Sequence, residues 1–122
     1  MSIGNSNTGD VKCPPDARFR PLVYGYLRLD LLSGSELSQC HAQLETFARE
    51  HGYEFAAVFH ESPPQSWSVP QAFAELVHAC RRSGAHMVVT LAGHLSGMAM
   101  SRICLLDFLA ARGNAHLMEL PA

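Results

Sequence analysis

No stretch of this sequence approaches the roughly 18 consecutive apolar residues that a membrane-crossing helix needs, so no membrane span is expected. The first twenty residues have neither a cationic start nor a continuous apolar stretch, so no secretory signal peptide is expected. Cysteine is sparse and scattered: Cys13, Cys40, Cys80 and Cys104 form no C-x-x-C pair. Cys40, Cys80 and Cys104 fall within predicted helices, where a thiol serves as a small buried hydrophobe. The seven histidines include no H-x3-H or H-E-x-x-H spacing. Neither a metal centre nor any other cofactor is therefore expected, and the chain reads as cytoplasmic and reduced. An excess of positive charge is missing too. Lys and Arg number 9 against 11 Asp and Glu, a net charge of −2 that argues against a strong electrostatic nucleic-acid binder. The candidates for weak DNA contact are Arg18 and Arg20, before the first strand, and Arg81 and Arg82, closing a helix. Solvated surface and helix-dipole complementation are their ordinary roles.

What is present is a regular alternation. With 48% apolar residues in 122, the chain can bury one real core. Residues 1–20, rich in Gly, Asn, Ser and Pro, read as a flexible lead-in. From Pro21 a domain is expected to run to Ala122. "LVYGYLRL" (22–29) is the near-continuous apolar run of a strand covered on both faces. A Ser/Gly loop leads to a helix from Ser35 to His51, whose Leu37, Cys40, Leu44, Phe47 and Ala48 recur at helical spacing before Gly52. "YEFAAVFHE" (53–61) is a second strand. "SVPQ" (68–71) has the form of a capping box, with Ser68 at the N-cap of a helix that Gly84 ends. "AHMVVTL" (85–91) is a third strand, "AGHLSG" (92–97) a loop, 98–112 a third helix and "AHLMEL" (115–120) a fourth strand. Strand and helix in strict alternation imply an α/β fold, a three-layer α/β/α domain with a mainly parallel sheet of about four strands. The third helix is apolar over most of its circumference, which suits deep burial or pairing with another subunit. Met98, Arg102, Leu105, Leu106 and Leu109 are its candidate self-association residues.

Chemistry in such a fold gathers at the carboxyl ends of the strands. These supply Arg28 and Asp30, then His60 and Glu61, then Thr90, Gly93 and His94. An Arg–Asp–His set can do acid/base work; equally, Arg28 and Asp30 can satisfy one another at a strand end. Ser33 and Ser35 can be read as nucleophiles or, more simply, as loop and helix-cap residues.

The order and wording of the segments add a resemblance. "YGYLRLD…ELSQCHAQLETFAREHGYEFAAVFHE" resembles the start of a resolvase/invertase-type serine recombinase catalytic domain, which opens with a Y-x-R-V-S strand. "AFAELVHACRRSGAHMVVTLAGHLSG" resembles the family's next helix and strand, leading into an L-D-R-L-[GS]-R motif. "LLDFLAARGNAHLMEL" resembles the helix, turn and strand that follow. The resemblance covers Pro21 to Leu120. It implies that the position of the family's nucleophilic serine is held by Asp30, with the strand arginine retained as Arg28 and a helix glutamine matched by Gln43. It places Gly93 at the motif's Asp, His94 at its first Arg and Gly97 at its second. A further family arginine belongs near residues 62–70, but no Lys or Arg occurs between Arg49 and Arg81.

Phosphoryl transfer runs on positioning and charge stabilisation, so three absent arginines and an absent nucleophile imply an inactive site. The family continues into a long helix and a helix-turn-helix domain, whereas this sequence ends at Ala122, so site-specific DNA binding is expected to need a partner. The expectation is a catalytically inactive serine-recombinase-like domain, associating with itself or with a related protein. The alternatives are a strand-cleaving enzyme using Arg28, Asp30, Glu61 and His94, and a weak DNA-binding accessory to recombination.

Overall fold

In the computed structural model, residues 20–63 and 69–121 are described. The expected lead-in over 1–20, including Arg18, lies almost wholly outside them, as does Ser68. Strand β1 (Leu22–Arg28) passes through a short 3-10 turn (Leu29–Leu31) into helix α1 (Gly34–Glu50). Strand β2 (Glu54–Glu61), helix α2 (Gln71–Ser83) and strand β3 (Met87–Leu91) follow. Helix α3 (Arg102–Phe108) continues into one π-helical turn (Leu109–Gly113), and strand β4 (His116–Leu120) ends the fold.

The four strands form one parallel sheet in the order β2-β1-β3-β4. The central position of β1 explains its apolar run. Alternate residues feed two separate cores, because successive strand side chains point to opposite faces. Val23 and Leu27 pack with Leu44, Ala48, Val89 and Leu91 beneath α1. Tyr26 packs with Phe73, Leu76, Val77, Val88, Leu105 and Leu109 beneath α2 and α3. Each fully buried leucine contributes about 1.5–3 kcal/mol relative to exposure. The result is the expected three-layer α/β/α arrangement.

The helix boundaries follow local chemistry. Ser33 caps α1 in a reciprocal box, its hydroxyl accepting from Glu36 N–H at 3.4 Å and its own N–H donating to Glu36 Oε1 at 2.8 Å. Helix α2 departs from expectation. Its N-cap is Pro70, which offers no side-chain cap, and the N–H groups of Ala72 and Phe73 are satisfied from another element.

The third helix is shorter than the expected 98–112. Gly97 holds a left-handed φ of 79°, Met98–Met100 are irregular, and Ser101 starts α3 by accepting from Cys104 N–H at 3.3 Å. Its apolar surface is also one-sided rather than all-round. Leu105 and Leu109 are fully buried, while Ile103 is 70% exposed. The burial expected of Cys104 is not found either: its thiol is exposed.

Candidate functional site

The carboxyl end of β1 is where the strand ladders run out and side chains take over. The β1–β3 pairing ends at Tyr26↔Thr90, so β3 offers no backbone partner to Arg28. His94, from the loop after β3, fills that place: Arg28 N–H donates to His94 Nδ1 at 2.9 Å. The neutral His94 ring therefore carries its proton on Nε2. Both residues are buried, with 5% and 4% of their surface exposed.

The Arg28 side chain bonds through each of its nitrogens. Its Nε and Nη2 donate to Asp30 Oδ1 and Oδ2 at 3.1 and 2.8 Å, a bidentate fork, and its Nη1 donates to the Ser96 carbonyl at 2.6 Å. All three guanidinium nitrogens are thus bonded within the chain. The fork has the planar complementarity that makes arginine–carboxylate pairs strong. Arg28 holds the Asp30 carboxyl below the usual carboxylate range, and Asp30 raises Arg28 in return. Burial, helped by the nearby Arg28 charge, lowers His94.

Glu61 sits one strand over, paired in register with Arg28, but its carboxylate turns elsewhere. It accepts from Tyr26 OH at 2.8 Å and from the N–H groups of Ala72 and Phe73 at 3.1 and 3.0 Å. This buried carboxylate is the missing cap of α2, placed where a helix N-terminus favours negative charge. Burial first, and then the bond to Glu61, raise the Tyr26 hydroxyl well above its ordinary range. Thr90 Oγ1 donates to the Tyr26 carbonyl, which ties β3 to β1 at the same level.

Arg28, Asp30 and His94 therefore meet, and Glu61 does not join them by any hydrogen bond among the described residues. Gly93 and Gly97 take left-handed φ values of 90° and 79°, shaping the loop that carries His94 and Ser96. Gln43 donates to the Pro121 carbonyl at 3.0 Å. Beside this cluster lies an open cleft of about 410 Å³, lined by Leu31, Leu32, Gln39, Cys40, Gln43, Leu91 and His94 among others. Burial raises the Cys40 thiol, so it is no ready nucleophile. Ser33 and Ser35 stand on the surface with their hydroxyls 3.4 Å apart.

Two solved structures share this architecture. One is the C-terminal catalytic domain of ISC1926 TnpA, an IS607-like serine recombinase, with a TM-score of 0.64 at 13% identity, covering 83% of this chain and 69% of that one. The other is a resolvase family site-specific recombinase from Streptococcus pneumoniae, with a TM-score of 0.64 at 17% identity, covering 82% and 72%. The fold is that of a serine-recombinase catalytic domain. No protein-family model and no curated protein matches the sequence.

On this serine-recombinase-type fold, the remaining expected residues lie apart from the strand mouth. Arg20 precedes β1, and Arg81 and Arg82 close α2, so all three belong to the opposite end of the sheet, and all are exposed. Arg81 donates to the Arg112 carbonyl at 3.3 Å. Arg102 forks onto Glu119 at 3.3 and 2.6 Å. Leu105 and Leu109 are core residues rather than available surface, because their side chains face α2 and the sheet; Met98 and Leu106 are half-buried. Sequence reasoning missed Ser96 and Tyr26 as partners of the charged strand end. A backbone carbonyl has no sequence signal, and Tyr26 reads simply as apolar.

Among the described residues no helix is long and apolar enough to cross a membrane.

Proposed function

We propose that this chain is a non-catalytic serine-recombinase-type domain that acts by associating with a second copy or with a related protein. The observation that carries the reading is the engagement of all three Arg28 guanidinium nitrogens by Asp30 and Ser96. A transferring phosphoryl group needs positive charge aimed at its oxygens, and a single arginine there is worth roughly 10³-fold or more. Here the strand-end arginine is neutralised by the residue standing where the resemblance puts the nucleophile. His94, at the position of a motif arginine, is buried and bonded to backbone.

Association is supported by apolar side chains left on the surface. Ile103 on α3 is 70% exposed, and Met98 and Leu106 are half-buried. These replace Leu105 and Leu109 as the residues through which α3 would meet a partner. On this reading Arg20, Arg81 and Arg82 are solvated surface.

Incubation with supercoiled DNA, followed by denaturing electrophoresis, tests the catalytic half. No covalent protein–DNA adduct is expected, and an adduct would overturn the reading. Light scattering over a concentration series tests the other half. A mass that rises with concentration is expected, and should fall back in Ile103→Asp. A strict monomer at high micromolar concentration, with no related partner recovered, defeats it.

A further inference from the structure

Far from the Arg28 cluster, two histidines from different elements meet at the surface. His41 lies on α1 and His60 on edge strand β2, on the sheet face that α1 covers. Their Nε2 atoms are 2.7 Å apart. The ring centroids are 4.9 Å apart and the planes differ by 24°. That centroid separation exceeds the nitrogen separation by about one ring radius on each side. The rings therefore meet edge to edge, nitrogen facing nitrogen, rather than stacking face to face. One Nε2–H donates to the other ring's lone pair, and no described residue bonds to either Nδ1.

We propose that His41 and His60 form a two-point site for a borderline divalent cation of the Zn²⁺, Ni²⁺ or Cu²⁺ class, which clamps α1 to the edge of the sheet. Neutral imidazole is the commonest protein ligand for these ions, and Nε2 is one of the two atoms it uses. Metal–nitrogen bonds of about 2.0–2.1 Å set two adjacent ligands roughly 3 Å apart. Seating the ion takes an opening of the present contact by a few tenths of an ångström and a swing of each ring that turns its Nε2 lone pair from the other nitrogen toward a shared point beside the N···N line. The donor ring keeps its proton by moving it from Nε2 to Nδ1, so binding to the neutral pair releases none. No third His, Cys, Asp or Glu joins the pair among the described residues, so water completes the coordination. Such a clamp would brace α1, which forms one wall of the strand-mouth cleft through Gln39, Cys40 and Gln43. The inference stands independently of the proposed lack of catalysis.

The test is a titration of the full chain with ZnCl₂ and, separately, NiCl₂. It is read by thermal unfolding and by NMR of the imidazole nitrogens. The melting temperature is expected to rise with either ion and to be unmoved by Mg²⁺, a hard cation that prefers oxygen. In the wild type, the resonances of His41 and His60 should move first among the seven histidines. His41→Gln and His60→Gln should each abolish the rise. Absence of binding at millimolar Zn²⁺ and Ni²⁺, or a rise that survives both substitutions, would overturn the proposal.

Discussion

The backbone N–H of Arg28 donates to Nδ1 of His94 at 2.9 Å, replacing a ladder bond that β3 is too short to supply. One contact thereby ends the central strand, fixes the tautomer of a buried ring and holds the loop carrying Ser96 over the Arg28 side chain. Backbone, loop and side chain are tied into one hydrogen-bonded cluster at the strand end.

A pH dependence follows. The folded-state pKa of His94 lies below its ordinary value near 6.5, mainly through burial. Across that window the unfolded chain binds more protons, so stability rises with pH. The contribution is complete above about 6.5 and is lost as pH falls through the folded value. Asp30 has the same sign in a more acidic window, below about 3.9. The urea midpoint should fall from neutral pH toward pH 5. His94→Gln should flatten that slope, leaving the part due to His60, which is also lowered.

Asp30→Ala leaves a guanidinium in a site that is 5% exposed with Ser96 as its remaining hydrogen-bond partner. Partial exposure of Asp30 moderates the loss, and about 1–3 kcal/mol is expected by chemical denaturation. Asp30→Ser puts a hydroxyl at the strand end in place of the carboxylate, which tests the proposed non-catalytic reading. It should still give no covalent adduct with DNA.

Glu61→Ala should cost about 2–3 kcal/mol, because it strips the acceptor from Tyr26 and from two N–H groups at the start of α2. Tyr26→Phe should cost about 1 kcal/mol. The two share a hydrogen bond, so a double-mutant cycle should show a coupling of roughly 1 kcal/mol rather than additivity.

Leu105→Ala and Leu109→Ala should each lower stability by about 2–5 kcal/mol, as expected when a fully buried side chain leaves a cavity. Ile103→Ala should stay within about 0.5 kcal/mol by the same measurement while weakening association. Equal effects at 103 and 105 would show that the division of α3 into core and surface is wrong.

Gly25→Ala would bring a methyl within 3.0 Å of Leu44 Cδ1 and 3.1 Å of Phe55 Cζ. Both are side-chain tips, and Phe55 lies on the edge strand. A loss near the low end of the overpacking range, about 1 kcal/mol, is expected in a urea melt.

The sequence by itself determined the alternation of strands and helices, the burial of "LVYGYLR" on both faces and the parallel three-layer fold. These follow from the period of apolar residues and from helix-stop glycines, which are local signals. It also placed Arg28 and Asp30 at a strand end. What it could not determine is which groups those charges meet. Ser96 and His94 lie 68 and 66 residues from Arg28, and only the return of the chain after β3 brings them there. The cap of α2 was expected from Ser68, three residues before Gln71. Ser68 lies outside the described residues, and Glu61, across the top of a neighbouring strand, accepts from the N–H groups of Ala72 and Phe73. The histidines show the same division. Their spacing argued against a metal centre, yet His41 and His60, 19 residues apart, face each other because α1 packs along β2. Periodicity is written between near neighbours, whereas a site is made by hydrogen bonds between residues that only tertiary packing brings together.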